Sequence, residues 1–365
     1  MDFDIHPNVG LKEWPNHISL PPKTREEVGA LVGQFMQLRS GTELVLEVCG
    51  SIEANQEVAF VSPHSFEKLK GRKIEFKILE VTLGCDPEFF VLWGPKTIVA
   101  ATYLSPRGEI GCDGTLGELR PMHGRHESQV VANLSQLIPQ IPRNMRRQPW
   151  ARGFPEDGRQ FTYEAHSYAR GIAAGFHIHM GIPPEILNTR NDFNRMAINH
   201  IIRCLDWYVA VPLVPLETAP ARRLGSSQYG QPGDYRPTSL TLEYRTPGAF
   251  YLRTPRLALG LLGVALMVTE TLVSRMKVES RNFVDLPRLR PHQLQDIMPV
   301  PHPVKVRDIL KGRDIKAAEG EIPHIRQILE KLPNYEKHKQ AVEGLFSAVE
   351  EKYQPGPHLL NNWKE

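Results

Sequence analysis

The chain has 365 residues, 44 Lys and Arg against 41 Asp and Glu, and a formal net charge of +3. That length is ample for a substantial core, and 41% hydrophobic with 23% charged residues excludes extensive disorder. The near balance of charge excludes a histone-like or polybasic nucleic-acid binder.

Taken in chain order, Met1-Asp2-Phe3-Asp4 is acidic and lacks the basic and apolar stretches of a signal peptide. Cys49, Cys85, Cys112 and Cys204 form no CxxC pair, so the expected setting is the reducing cytoplasm. Residues 1–80 read as a small α+β region. A helix is predicted over Arg25–Arg39, with Thr24 and Glu27 as a capping box, then a strand over Glu43–Val48 and another over Phe76–Val81. Residues 81–288 read as a central domain, dominated by strand patterns. Its helices are predicted at about His126–Ile138, Asp192–Val211 and Arg256–Val278. The apolar run Leu257–Val268 is shorter than the roughly 20 residues a bilayer span needs, and reads as a buried core helix. Residues 289–365 read as a helical extension, with helices at Pro323–Leu332 and Tyr335–Tyr353.

The central region repeats one device four times. Asp86-Pro87-Glu88, Glu118-Leu119-Arg120, His177-Ile178-His179 and Glu243-Tyr244-Arg245 each place two polar groups at i and i+2. On a strand both then point to one face. In Phe176-His177-Ile178-His179-Met180, the histidines take one face and the apolar residues the other. A single sheet face gathering acids, imidazoles and guanidiniums must be wet, because unpaired buried charges cost several kcal/mol each. Carboxylates suit Mg²⁺ or Mn²⁺, an imidazole can complete a second site, and arginines can grip phosphate. Between Lys96 and Lys277 there is no lysine, only arginine, which suits bidentate recognition of carboxylate or phosphate.

The stretch Arg222–Arg236 is rich in glycine and polar residues and is the candidate lid. Gly108, Gly111, Gly114 and Gly117 are assigned to tight turns at Arg107-Gly108 and Asp113-Gly114 rather than to a phosphate loop. His123 and His126 are assigned to surface or helix-start positions. No GxxxxGK[ST], GxGxxG after a strand, GxSxG or HExxH occurs, which disfavours P-loop, Rossmann, serine-hydrolase and zincin chemistry.

In order, Gly84-Cys85-Asp86-Pro87-Glu88-Phe89-Phe90, Gly117-Glu118-Leu119-Arg120-Pro121, His177-Ile178-His179, Tyr229-Gly230 through Gly233-Asp234-Tyr235-Arg236, and Leu242-Glu243-Tyr244-Arg245-Thr246-Pro247-Gly248 resemble the phage-encoded carboxylate–amine ligases (COOH-NH2 ligase type 2, amidoligases). Those look like distant relatives of glutamine synthetase and γ-glutamylcysteine synthetase, and the resemblance covers about Val81–Arg256. It implies an α+β fold with an antiparallel β-sheet bowl of glutamine synthetase-like type and flanking helices. It further implies an ATP- and Mg²⁺-dependent ligase that joins a carboxylate to an amine through an acyl phosphate. The resemblance marks Glu88, Glu118 and Glu243 as metal carboxylates with Asp86 supporting, and His177 or His179 as the imidazole at the second metal or phosphate. Arg222 or Arg223 and Arg236 are marked as clamps on phosphate or substrate carboxylate, and Arg245 as a γ-phosphate contact. Arg120, His179 and Tyr229 are expected toward the nucleotide.

The expected partners are ATP and small-molecule or peptide carboxylates and amines, with no membrane and no nucleic acid. Alternatives are a phosphotransferase acting on a small guanidino or carboxyl substrate, and a non-catalytic nucleotide- or metal-binding phage protein. Replacing Glu88 or Glu243 by Gln is expected to abolish turnover and leave stability nearly intact.

Overall fold

The computed structural model describes residues 5–12, 16–28, 35–39, 43–52, 58–69, 75–79, 81–93, 96–97, 100–146, 161–190, 192–217, 229–238, 241–280 and 291–364. The elements of the first part are β1 Ile5–Pro7, β2 His17–Ser19, α1 Pro22–Val28, β3 Phe35–Arg39, β4 Glu43–Cys49, β5 Ala59–Val61, α2 Pro63–Leu69 and β6 Glu75–Leu79. Its six strands form one mixed sheet in the order β1-β5-β2-β4-β3-β6. The helix expected over Arg25–Arg39 stops among the described residues at Val28, and its second half is a strand. Met36 and Leu38 are buried at a spacing of two, and β3 pairs with both β4 and β6. Pairing on both edges there overrides the helical pattern.

A second, fully antiparallel sheet follows. It is built on β7 Thr82–Trp93, with β8 Lys96–Thr97, β9 Ile110–Asp113 and β10 Leu116–Leu119. After α3 Glu127–Leu137 and α4 Ile141–Asn144 come β11 Phe161–Glu164 and the small hairpin β12 Tyr168–Ala169 and β13 Ile172–Ala173, then β14 Phe176–Gly181. Next are α5 Pro184–Leu187, α6 Asp192–Leu205, α7 Val211–Leu213, β15 Tyr235–Pro237 and β16 Leu242–Tyr244. The sheet runs β15-β16-β14-β7-β10-β9, with β8 and β11 paired further along β7, and among the described residues it does not close into a barrel. Leu83, Cys85, Phe89 and Val91 of β7, Phe176, Ile178 and Met180 of β14, and Leu242 and Tyr244 of β16 all enter one core. Strand alternation therefore leaves the polar residues between them on the opposite face. The chain is α+β, as expected.

The core face is covered by helices. α8 Pro255–Ser280 lies against β7, β14, α3 and α6, and α12 Tyr335–Glu350 packs on it in turn. Between these come α9 Pro291–Ile297, α10 Pro303–Gly312 and α11 Ile315–Glu330, and α13 Leu359–Asn362 ends the chain. By length and composition Pro255–Met276 can cross a bilayer, contrary to the shorter apolar run read from sequence, but 83% of its most apolar stretch is buried inside the protein.

Two other helices differ from expectation. The one predicted over Asp192–Val211 changes at Asp206–Ala210 to a π-helical turn. The one predicted from Pro323 starts at Ile315, where the Asp314 side chain caps Ala317 N–H, and Pro323 sits inside it. A cap nine residues upstream outweighs the helix-start preference of proline. The glycine assignment holds at two of four positions: Gly108 and Gly114 have φ of +95° and +54°, a region costly for other residues. Gly111 and Gly117 instead lie where a side chain would strike Arg120 and Phe89.

Candidate active site

Register brings the paired motifs together. Arg236 lies opposite Glu243, Glu243 opposite His179, and His179 opposite Gly84. In the next row His177 faces Asp86, and beyond it Glu88 faces Glu118. Five strands thus place four acids, two imidazoles and Arg236 on one sheet face, and glycines make room among them. A side chain at Gly84 would meet the His123 ring, one at Gly111 the Arg120 guanidinium, and one at Gly175 the His177 ring.

Asp86 is the centre. Its Oδ1 is 3.3 Å from His177 Nδ1 and its Oδ2 is 3.0 Å from His179 Nε2. Glu243, with no exposure to solvent, lies 3.6 Å from His177 Nδ1. Its Oε2 accepts from Arg236 Nε at 2.5 Å, and Arg245 Nε forms an ion pair with its Oε1 at 3.2 Å. The Tyr229 hydroxyl is 2.7 Å from His177 Nε2 and 3.1 Å from Glu88 Oε2, which also accepts the Gly175 N–H. The Arg245 guanidinium stacks over the Tyr229 ring at 5.2 Å. Beside this group, Arg120 pairs with Glu118 and donates to Gly108 O at 3.1 Å.

The charges are strongly coupled. Burial opposes ionisation of Asp86, but His179 and His177 outweigh it and hold the carboxyl well below the ordinary range. Burial raises Glu88. Glu118 is pushed up to about 8, first by burial and then by repulsion from Asp86, despite Arg120. Acids this close cannot all ionise without a cation.

The donor set fits a divalent cation. One ligand atom each from Asp86, His177 and Glu243 lies within 4.8 Å of the others. Asp86 Oδ1 and Glu243 Oε1 are buried and accept no well-formed hydrogen bond. Oxygen donors with one imidazole suit Mg²⁺ or Mn²⁺.

Residues 83–288 match the family described as Phage phiEco32-like COOH.NH2 ligase-type 2, more than half of the chain. The chain belongs to this family. No curated protein matches it. Among solved structures it is similar to a bifunctional glutathione synthetase from Pasteurella multocida, with 10% identity, TM-score 0.33, and 75% of this chain and 52% of that chain covered. This chain thus spans about half the length of that protein. It is also similar to GmaS in complex with ADP, at 10% identity, TM-score 0.33, and 71% and 72% covered.

Within the ligase-type 2 segment, Asp86, Glu88, His177, His179, Tyr229, Arg236, Glu243 and Arg245 converge, with Glu118 and Arg120 at the edge of the group. Arg222 and Arg223, with the first part of the expected lid up to residue 228, lie outside the described residues. Two residues escaped the sequence reading. The His123 ring is inserted beside Gly84, where burial and the neighbouring His179 push its pKa down to about 4. It is half-buried rather than a surface residue, and nothing in Met122-His123-Gly124 signals this, since the contact depends on a glycine 39 positions away. Asp206, buried at the start of the π turn, accepts from Gly233 N at 2.6 Å, Tyr244 Oη at 2.8 Å and Thr246 Oγ1 at 3.1 Å. An acid inside the apolar run Cys204-Leu205-Asp206-Trp207-Tyr208-Val209 was its available signal. His126 caps α3, as expected of a helix-start residue.

Proposed function

We propose that the protein is an ATP- and Mg²⁺-dependent carboxylate–amine ligase that works through an acyl phosphate. The observation that carries this reading is the buried Asp86–His177–Glu243 cluster on the polar face of the antiparallel sheet, inside the ligase-type 2 segment. Asp86, Glu88, Glu118, Glu243 and His177 would hold the metal, which supplies positive charge against the triphosphate and the charge developing on transfer.

The other roles fall to this chain's own groups. The Arg236 side chain, 61% exposed beyond its Glu243 contact, and Arg245 face outward to phosphate oxygens. The γ-phosphoryl group passes to a substrate carboxylate oxygen and ADP leaves. The amine nitrogen then attacks the carbonyl carbon and phosphate departs. No protein nucleophile is needed, and Cys85 and Cys112 beside the site have thiols raised by burial. Tyr229 holds Glu88 and His177 in place, and the segment it belongs to, carrying Arg222 and Arg223 upstream, excludes water from the acyl phosphate. Residues 81–288 form the catalytic domain, with 1–80 and 289–365 as its flanking regions.

Purified protein given ATP, Mg²⁺ and pooled amino acids and polyamines is expected to release ADP and phosphate together and to yield an amide by mass spectrometry. A stable phosphorylated product without amide would replace the ligase with a phosphotransferase. Absence of nucleotide binding at millimolar ATP with Mg²⁺ would overturn both.

A further inference from the structure

A second cluster of metal-binding side chains lies on the helical side of the molecule, away from the polar sheet face. We propose that His126, Glu127 and His338 form a structural site for Zn²⁺ that ties α12 to the start of α3. One ligand atom from each lies within 4.8 Å of the others.

The hydrogen bonds around the two rings fix which nitrogens face inward. His126 Nε2 is 3.2 Å from the Lys337 carbonyl oxygen. A carbonyl only accepts, so Nε2 carries the proton and Nδ1 presents a lone pair. That nitrogen accepts the Ser128 N–H at 3.4 Å and lies 2.9 Å from Ser128 Oγ, so a metal bound there would take the place of the α3 cap. His338 Nε2 is 3.0 Å from Glu270 Oε2, which leaves its Nδ1 facing Glu127 Oε2 at 2.8 Å. His126 Nδ1 lies 3.5 Å from the same oxygen. Imidazoles oriented through their far nitrogen by a carbonyl and a carboxylate are the outer-shell arrangement of metal-bound histidine. Two nitrogens and one carboxylate oxygen match Zn²⁺ better than Mg²⁺. Tetrahedral arms of about 2.1 Å place ligand atoms roughly 3.4 Å apart, a separation bracketed by the two observed here.

Burial and charge agree. Glu127 and His338 are buried, while the His126 side chain is 32% exposed, so water can reach a fourth position. Gly263 of α8 has no side chain where Glu127 Cγ stands 3.2 Å away. Lys337 pairs with the other oxygen of Glu270, so Glu270 is neutralised without His338, and Glu127 is the carboxylate a cation would compensate. Residue 338 lies outside the segment that matches the ligase family.

The test uses the full-length protein, stripped with chelator and kept in excess Mg²⁺ so that the oxygen-rich centre stays occupied. Titration with Co²⁺ is expected to give one equivalent with the visible absorption of a tetrahedral site, displaced by Zn²⁺, and Zn²⁺ is expected to raise the thermal midpoint. His126→Asn keeps a helix-capping side chain and is expected to fold, bind one equivalent fewer and lose the band. His338→Gln should do the same if it folds. No band and no Zn²⁺ shift in the wild type, or an unchanged band in His126→Asn, would overturn the site and leave His338 as a cation between two carboxylates. Neither result bears on ADP release, which reads the ligase centre separately.

Discussion

Glu243 is fully buried, yet two arginines and a histidine surround it, whereas Glu88 is held by a backbone N–H and a phenol. The structure therefore separates two substitutions that look equivalent in sequence. Glu88→Gln keeps an acceptor for the Gly175 N–H, so ADP release should fall about 100-fold or more with the thermal midpoint little changed. Glu243→Gln should lose activity too, but also about 3 kcal/mol of stability, because it leaves two guanidiniums beside a neutral buried group. Chemical denaturation of both variants decides the matter: equal stabilities would show that the Glu243 pairs contribute nothing. Asp86, Glu88, Glu118, Glu243, both histidines, Arg120 and Arg245 were legible at this scale through their i, i+2 spacing, whereas Arg236 came only through the family resemblance. His123 was not, because its place is set by the missing side chain of Gly84.

Among the elements, α6 and its π turn carry consequences beyond packing. Asp206 holds the Gln231–Asp234 turn and β16 through three hydrogen bonds. Asp206→Ala is expected to cost about 3 kcal/mol or more and to weaken nucleotide binding by loosening Tyr229, as read by denaturation and by nucleotide titration. On the same helix, burial pushes His200 down to about 4, with Arg203 adding to the effect. Its folded pKa lies below the unfolded value of 6.5, so its contribution is present above pH 6.5 and is lost as pH falls toward 4. That amounts to about 3 kcal/mol. His200→Gln should flatten the stability profile between pH 4 and 6.5; an unchanged acid slope would remove His200 as its cause. Helix α8 is close-packed enough that a Gly260 side chain would meet Leu345 Cβ at 2.7 Å. Gly260→Ala should therefore cost about 1–3 kcal/mol and lower the thermal midpoint. Strand β3 was misread, since helical and strand readings of Phe35–Arg39 differ only through the partners β4 and β6 supply.

Across the whole molecule, one hydrophobic core runs from Val81 to Trp363, while the first sheet keeps a core of its own joined by Met122. The helices after residue 290 are thus part of the packing around α8, although the family match ends at 288. A chain ended at residue 290 would expose the apolar face of α8, with each large side chain costing about 1.5–3 kcal/mol. It is expected to be insoluble or to lack a cooperative melt, and a soluble, cooperatively folded fragment would contradict this. The sequence by itself determined the strand alternation, the family, and which side chains share a face, because the period of a strand is a local property. Only the tertiary structure decided that Asp86 sits between both histidines, that Glu243 is sealed under two arginines, and that His126 and Glu127 meet His338. Those contacts join strands and helices far apart in the chain, and cross-strand register and helix packing, not spacing, bring them together.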